Sequence, residues 1–368
     1  MPAELQGSGD KPGGDCHIWR QFYLYADNIA AEKSCYKESV MDLPKIKWGI
    51  VGCGNIAGKF TRDIALTDDA EISAVASRAA EKAQAFAEKH NAGNAYGTYA
   101  ELFRDTDVDI VYIATPHVSH AELSIQAMEH GKHVLCEKPL SLNAKEASAI
   151  IETSRRTRRF FMEALWTRFN PAIIAIKKRI DNGEIGEVKF INADFSFKVP
   201  GDLDSRVIAL ELGGGAILDI GIYPAFLSYL ILGFPEEIVA KSLFHTLTKC
   251  DMQTSMIFTY ESAHARLYSG LESGSDMVAR ISGAEGQIYI HKTWHSPEGY
   301  TLVQGEAEQI FDLPIKGNGF TCEIEECHMC LRANRIESEL WSHKNSLDLI
   351  SILDVVRDQV GLVYPQEQ

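Results

Sequence analysis

The sequence has no unbroken apolar run near the ~20 residues that a helix needs to cross a bilayer, so a membrane-spanning segment is not expected. Its opening, "MPAELQGSGDKPGGD", has no apolar core and carries acids, which argues against a secretory signal or transit peptide and for a cytoplasmic setting. Positive charge is scarce: 36 Lys and Arg face 51 Asp and Glu, a net charge of −15. Such a surface repels phosphate backbones and anionic lipid, so no nucleic acid and no membrane is expected as a partner. Cysteine is thin as well, with eight in 368 residues, several inside apolar runs. That disposition fits reduced, buried thiols rather than a disulfide framework. One C-x-x-C, Cys327 to Cys330, has no second pair at ligand spacing and lies in "CEIEECHMCLRANR", which reads as a helix; no metal site is expected.

What is present is an ordinary globular composition, 45% apolar and 24% charged, in a chain long enough for two domains at roughly 100–200 residues each. Residues 1–44 are Gly-rich and then irregularly aromatic, and read as an appended extension. From Lys45 a regular alternation begins. "KIKWGIVGCG", "AEISAVAS", "DVDIVYIAT", "KHVLCE" and "RFFMEAL" read as strands, with helical spacing between them. Gly131 and Asn143 are expected to close one helix and open the next. This grammar predicts a doubly wound parallel sheet of Rossmann type over 45–165. After Leu165 it changes to consecutive strands with few helices, predicting an α/β domain with an open, mostly antiparallel sheet over 166–340. "NSLDLISILDVVRDQVG" reads as the core of a closing helix and tail over 341–368.

"GIVGCGNIAGKF" carries G-x-G-x-x-A between a strand and a helix. Gly52 permits the tight turn, and Gly54 lets backbone approach a pyrophosphate. Ala57 allows close helix–strand packing, while Asn55 and Ile56 open the helix whose N-terminus faces the negative charge. The end of the second strand then discriminates between cofactors. A site for NAD usually places a carboxylate there to bind the ribose 2′-hydroxyl. Here stand Ser77 and Arg78, a hydroxyl and a guanidinium suited to a 2′-phosphate, so NADP is the expected cofactor.

A nicotinamide enzyme also needs a group that handles the proton while the cofactor takes the hydride. In "HVLCEKPLS", Lys138 stands at the carboxyl end of a strand, where open α/β sheets bind their ligands, and the following proline holds its backbone extended. Its ammonium could hydrogen-bond a substrate oxygen or lower the pKa of a neighbouring acid. The segments "GIVGCGNIA", "TPHVSH", "CEKPLSLNAKEA", "EALWTRFNPA" and "GGGAILDIGIYP" resemble the glucose–fructose oxidoreductase / inositol dehydrogenase family from about Lys45 to "VYPQ".

The resemblance implies that Lys138 is catalytic, and that Asp219 and Tyr223 match the family's Asp-x-x-x-His element, with tyrosine in the histidine's place as proton donor and acceptor. It implies that Thr115, Pro116 and His120 lie beside the nicotinamide ribose, that Glu137 flanks the cofactor, and that Trp166 and Arg168 lie against the nicotinamide end. Of the two histidines in "TPHVSH", only His120 is expected in the site. The chemistry stands without the family. A free phenol has a pKa near ~10, and an ammonium within ~4–6 Å would lower it toward a usable base. Asp219 would orient either Lys138 or the substrate hydroxyl.

The expected activity is NADP-dependent oxidation of a trans-dihydrodiol to a catechol. Oxidation of an aldose such as D-xylose at C1 is the alternative, and a non-catalytic NADP-binding regulator is the alternative of another class. The resemblance also implies a homodimer paired through the outer face of the second sheet.

Overall fold

The computed structural model describes residues 44–199 and 205–368. The extension called over 1–44 therefore lies outside the described residues, apart from Pro44. Residues 46–368 form one unit built on two sheets.

The first sheet holds β1 (Ile46–Val51), β2 (Ala70–Ala76), β3 (Asn94–Tyr96), β4 (Ile110–Ile113), β5 (His133–Glu137) and β6 (Phe161–Ala164), in the order β3-β2-β1-β4-β5-β6. Every pairing is parallel. That order places the topological switch point between β1 and β4, where such sheets take their ligands. The strands are near-continuous apolar runs because helices cover both faces; β4, "IVYI", is buried throughout. Asn143 caps the helix Ala144–Thr157 by accepting from the Glu146 N–H at 3.0 Å, and Gly131 lies just past the helix His120–Glu129 at φ +82°, both as the sequence leads one to expect. The short β3 and the helix Tyr99–Arg104, which Thr98 and Glu101 close with a capping box, are additions to the expected elements.

The second sheet holds β7 (Val188–Ser196), β8 (Glu237–Phe244), β9 (Asp251–Thr259), β10 (His264–Gly270), β11 (Ala279–Gly283), β12 (Gln287–Ile290), β13 (Gly299–Gln304) and β14 (Ala307–Asp312). Their order is β14-β13-β12-β11-β7-β10-β9-β8, antiparallel except for β7 with β10. One face packs inward through Ile238, Met256, Phe258, Ala265 and Leu267. The other exposes apolar side chains, among them Val239, Leu243 and Ile257, with Val239 and Ile257 paired across β8 and β9.

The helix His343–Val360 returns from the second half to the first. Burial of Ile350, Leu353 and Val356 contributes roughly 1.5–3 kcal/mol each. Hydrogen bonds fix its docking: Arg357 Nη1 donates to the Leu142 carbonyl at 2.5 Å, and the Ala144 N–H donates to Asp354 at 2.8 Å. Among the described residues no helix is long and apolar enough to cross a membrane, and no group of three or more His, Cys, Asp or Glu could hold a metal ion. Cys327 and Cys330 are free thiols buried on the helix Thr321–Arg332.

Candidate active site

The glycine turn follows β1. Gly52 adopts φ +95°, and a Cβ there would meet the Ala114 carbonyl oxygen at 2.9 Å, so glycine is required. Gly54 precedes the helix Asn55–Ile64, and a Cβ built on it meets nothing within 4 Å. That open space at a helix N-terminus, flanked by exposed Asn55 and half-buried Ile56, fits a pyrophosphate. After β4, the buried hydroxyl of Thr115 has no hydrogen-bond partner, an orphan that a ribose hydroxyl would satisfy. Ser77 is buried at the end of β2 and its Oγ accepts from the Ala79 N–H at 3.4 Å, while Arg78 is exposed. Burial pushes the thiol of Cys53, inside the glycine turn, up to about 11, and the charge of Lys82 pulls less strongly the other way. These residues fit a dinucleotide.

Pro116 leads into the single turn His117–Ser119. His120 is fully buried between two carbonyls, with Nδ1 2.8 Å from Pro139 O and Nε2 2.9 Å from Thr115 O. Burial pulls its pKa down to about 4 against the opposing pull of the two carbonyls. The neutral ring, with one N–H, donates to one of them at a time and packs the loop after β4 against the loop after β5. Glu137 ends β5 buried, one oxygen taking the Tyr112 hydroxyl and the other the Lys138 N–H at 3.2 Å. Glu163, a lone acid within "FMEA" of β6, was missed by sequence reasoning although a charge inside a buried strand is itself a signal. It accepts from the Leu140 N–H at 3.1 Å, the Trp341 indole at 3.2 Å and the Ser346 hydroxyl at 2.7 Å, fixing the backbone just past Lys138.

Lys138, Asp219 and Tyr223 come together. Lys138 Nζ donates to the Asp219 carbonyl at 2.5 Å, lies 3.6 Å from Asp219 Oδ1, and sits 5.1 Å from the centroid of the Tyr223 ring. Asp219 stands in a π-helical turn, Ile217–Gly221, rather than in the regular helix expected there. In a turn bonded i to i+5 its carbonyl would look to Pro224, which has no N–H to give, and Lys138 takes it instead. The turn is started by Asp251, whose buried carboxylate accepts the Ile217 N–H at 2.7 Å and whose pKa burial pushes up to about 6. Gly215 makes room for it, since a Cβ there would lie 2.1 Å from Asp251 Oδ1.

Around Asp219, burial raises the carboxyl, but the charges of Lys138 and Arg206 outweigh it and hold the pKa at about 2. Arg206 lies 3.4 Å from Asp219 Oδ1, and His117 Nε2 lies 3.8 Å from the same oxygen. His117 is buried, its Nδ1 3.0 Å from the Gly213 carbonyl, and burial takes its pKa down to about 3. Arg206 and His117 are thus both at the site, although sequence reasoning left them out; nothing local marks either one.

Tyr223 is buried, and burial raises its pKa well above 10. The expectation that Lys138 lowers it is corrected for the free protein, because the ammonium lies over the ring face and desolvation dominates. The Trp166 indole donates to the phenol oxygen at 2.8 Å and stabilises the ionised form. Trp166, in the turn after β6, stacks on Phe320 at 5.1 Å, and Asp63 anchors Phe320 by accepting its N–H at 2.9 Å. Arg168 stands outside this cluster. It is buried, its Nε donates to the Leu340 carbonyl at 2.9 Å, and Nη1 has no partner. Two rings complete the wall: Phe195 lies 5.4 Å from Tyr223 and stacks on His295 at 4.0 Å.

The first half, residues 46–165, matches the family model described as "Oxidoreductase family, NAD-binding Rossmann fold", and residues 173–289 match the GFO/IDH/MocA C-terminal domain. Trans-1,2-dihydrobenzene-1,2-diol dehydrogenase of Xenopus tropicalis is 36% identical over 87% of this chain and 99% of its own length. The D-xylose 1-dehydrogenase (NADP(+)) of Hypocrea jecorina is 34% identical over 87% of this chain and 93% of its own. Among solved structures, a 3-ketoreductase from Actinomadura kijaniata in complex with NADP and TDP-benzene superposes with a TM-score of 0.79 at 26% identity, covering 86% of this chain and 98% of that one. With both halves matched and relatives spanning nearly their full length, the chain belongs to the GFO/IDH/MocA family of oxidoreductases.

Proposed function

We propose that the chain is an NADP-dependent dehydrogenase oxidising a ring carbon that bears a hydroxyl next to a second hydroxyl, as in a trans-dihydrodiol or an aldose. The observation that carries this reading is the meeting of Lys138, Asp219 and Tyr223 beyond the carboxyl end of β5. Bound NADP supplies the hydride acceptor, and the names of the xylose-oxidising and ketoreductase relatives favour NADP over NAD.

In this reading Gly52, Gly54, Asn55 and Ile56 hold the pyrophosphate, Ser77 and Arg78 the 2′-phosphate, and Thr115 and Pro116 the nicotinamide ribose. Glu137 and His120 brace the strand ends beneath it. Lys138 donates one N–H to the Asp219 carbonyl and pairs with its carboxylate at 3.6 Å, and a remaining N–H faces the substrate oxygen. Tyr223 accepts the substrate hydroxyl's proton as hydride leaves, its phenolate supported by the Trp166 N–H. Asp219 orients Lys138. Arg168 supports the turn that carries Trp166. The cofactor is held by residues 45–165 and the substrate by 166–340, and 341–368 closes the structure.

The apolar outer face of the second sheet, with Val239 and Ile257 side by side, supports pairing of two copies into a homodimer. The test is NADP reduction at 340 nm across trans-dihydrodiols and pentoses. Turnover of one class is expected. Tight NADP binding without turnover of any would leave the regulatory reading in its place.

A further inference from the structure

His295 lies on the loop between β12 and β13, in a part of the chain to which nothing above assigns a task. Its ring stacks on Phe195 with centroids 4.0 Å apart and planes 16° apart, and its centroid is 5.5 Å from Tyr223 and 6.1 Å from Trp166. The loop is fastened on both sides. The Thr167 hydroxyl donates to the His295 carbonyl at 2.5 Å, the Trp294 indole to the Asp194 carbonyl at 2.7 Å, and the Asn170 amide to the Pro297 carbonyl at 3.0 Å. The ring is therefore held in place beside Tyr223, not left to swing.

Its nitrogens have no employment. Nδ1 is buried without a hydrogen-bond partner, and among the described residues none bonds Nε2. Burial brings its pKa to about 4, with the charge of Lys138 adding to the effect, so the imidazole is neutral and offers one donor and one acceptor. A phenylalanine would stack on Phe195 equally well. Nδ1 is shut in and out of a ligand's reach, but Nε2 is unpartnered and not enclosed, so it is the ring nitrogen that can meet a ligand beside the proposed proton-transfer group.

Building on the proposed activity, we infer that His295 is a specificity-determining residue that hydrogen-bonds a substrate hydroxyl beyond the reacting carbinol and its neighbour. The substrate class it selects is a polyhydroxylated ring, a cyclic sugar or cyclitol, over a dihydrodiol, which carries no hydroxyl beyond the reacting one and its neighbour. A site built to bind a hydroxyl rejects an analogue lacking it far more strongly than an apolar site rejects an added one.

The test compares D-xylose and a trans-dihydrodiol with wild-type protein, His295→Phe and His295→Gln, each first checked for NADP binding and thermal unfolding. In His295→Phe, kcat/KM for xylose is expected to fall by about tenfold or more, chiefly through KM, while that for the dihydrodiol holds or rises. His295→Gln is expected to restore part of the loss. Equal losses on both substrates, or an unaltered xylose value, overturn the inference. If wild-type protein turns over neither substrate, it is the activity reading that fails. Calorimetry of xylose with the NADP-loaded protein then still decides on His295: binding weakened in His295→Phe upholds the residue's role, and equal or absent binding ends it.

Discussion

The indole N–H of Trp166 donates to the hydroxyl oxygen of Tyr223 at 2.8 Å. An indole can only donate, so the phenol's own proton must point at something else. Removing the hydroxyl removes the proton carrier and also leaves the Trp166 N–H without its acceptor. Tyr223→Phe is expected to lower kcat by on the order of 10²–10⁴ with NADP affinity retained, read by steady-state rates and cofactor fluorescence.

Trp166→Phe keeps the ring stack with Phe320 and deletes the donor. That bond lowers the Tyr223 pKa, so its loss raises it. Oxidation needs Tyr223 as the phenolate to take a proton, so the rising limb of kcat against pH should move to higher pH by about one unit or more, the equivalent of a hydrogen bond to a charged group. An unmoved limb would assign the titration to another residue.

Arg78→Ala should raise KM for NADP by roughly ten- to a hundredfold, the range for a lost charge-assisted hydrogen bond, and leave KM for NAD nearly unchanged. Equal changes for both cofactors would place Arg78 away from the 2′-phosphate.

Gly215→Ala should be among the most damaging small substitutions in the molecule. The new methyl would sit 2.1 Å from Asp251 Oδ1, on a backbone at φ +129°. A cost on the order of 3 kcal/mol or more is expected in chemical denaturation, because clash and backbone strain add. The π-helical turn that Asp251 starts would be displaced with it, so kcat should fall in whatever protein remains folded.

Glu323 is wholly buried with both carboxyl oxygens unpartnered, and burial, with Glu137 and Asp63 nearby, raises its pKa well above the ordinary 4.5. A raised acid favours the folded state fully below its unfolded pKa and loses that contribution as pH climbs toward the folded one. Glu323→Gln, neutral at every pH, should therefore stabilise the protein at neutral pH and confer no gain below about pH 4.5. Thermal melts across pH 4 to 8 read the crossing.

Much of the frame is legible in the sequence because it rests on local pattern. Strand and helix alternate with their own periods through residue 164, and Gly52 and Lys138 announce themselves by type and placement, whereas Asp219 and Tyr223 are marked only by the family resemblance. The edge hairpin β13–β14 is not legible, since β14 is exposed along most of its length and shows no alternation. The supporting residues fail for another reason. Glu163 meets Trp341, Arg206 meets His117 and His295 meets Phe195 only after the chain has folded, so nothing near any of them in sequence declares the partner. The direction of the Tyr223 shift went unread because desolvation is a property of the surroundings, whereas the sequence shows only the nearby charge.

The helix His343–Val360 and the tail after it have a consequence for synthesis. Just beyond Lys138, the Leu142 carbonyl accepts from Arg357, while the Asn143 amide donates to Glu367 and the Ala144 N–H to Asp354. Those partners lie far downstream in sequence, so in synthesis the nucleotide-binding half emerges before the loop past Lys138 can gain these bonds. Replacing Arg357, Asp354 and Glu367 would therefore strike the carboxyl end of β5 from more than two hundred codons away.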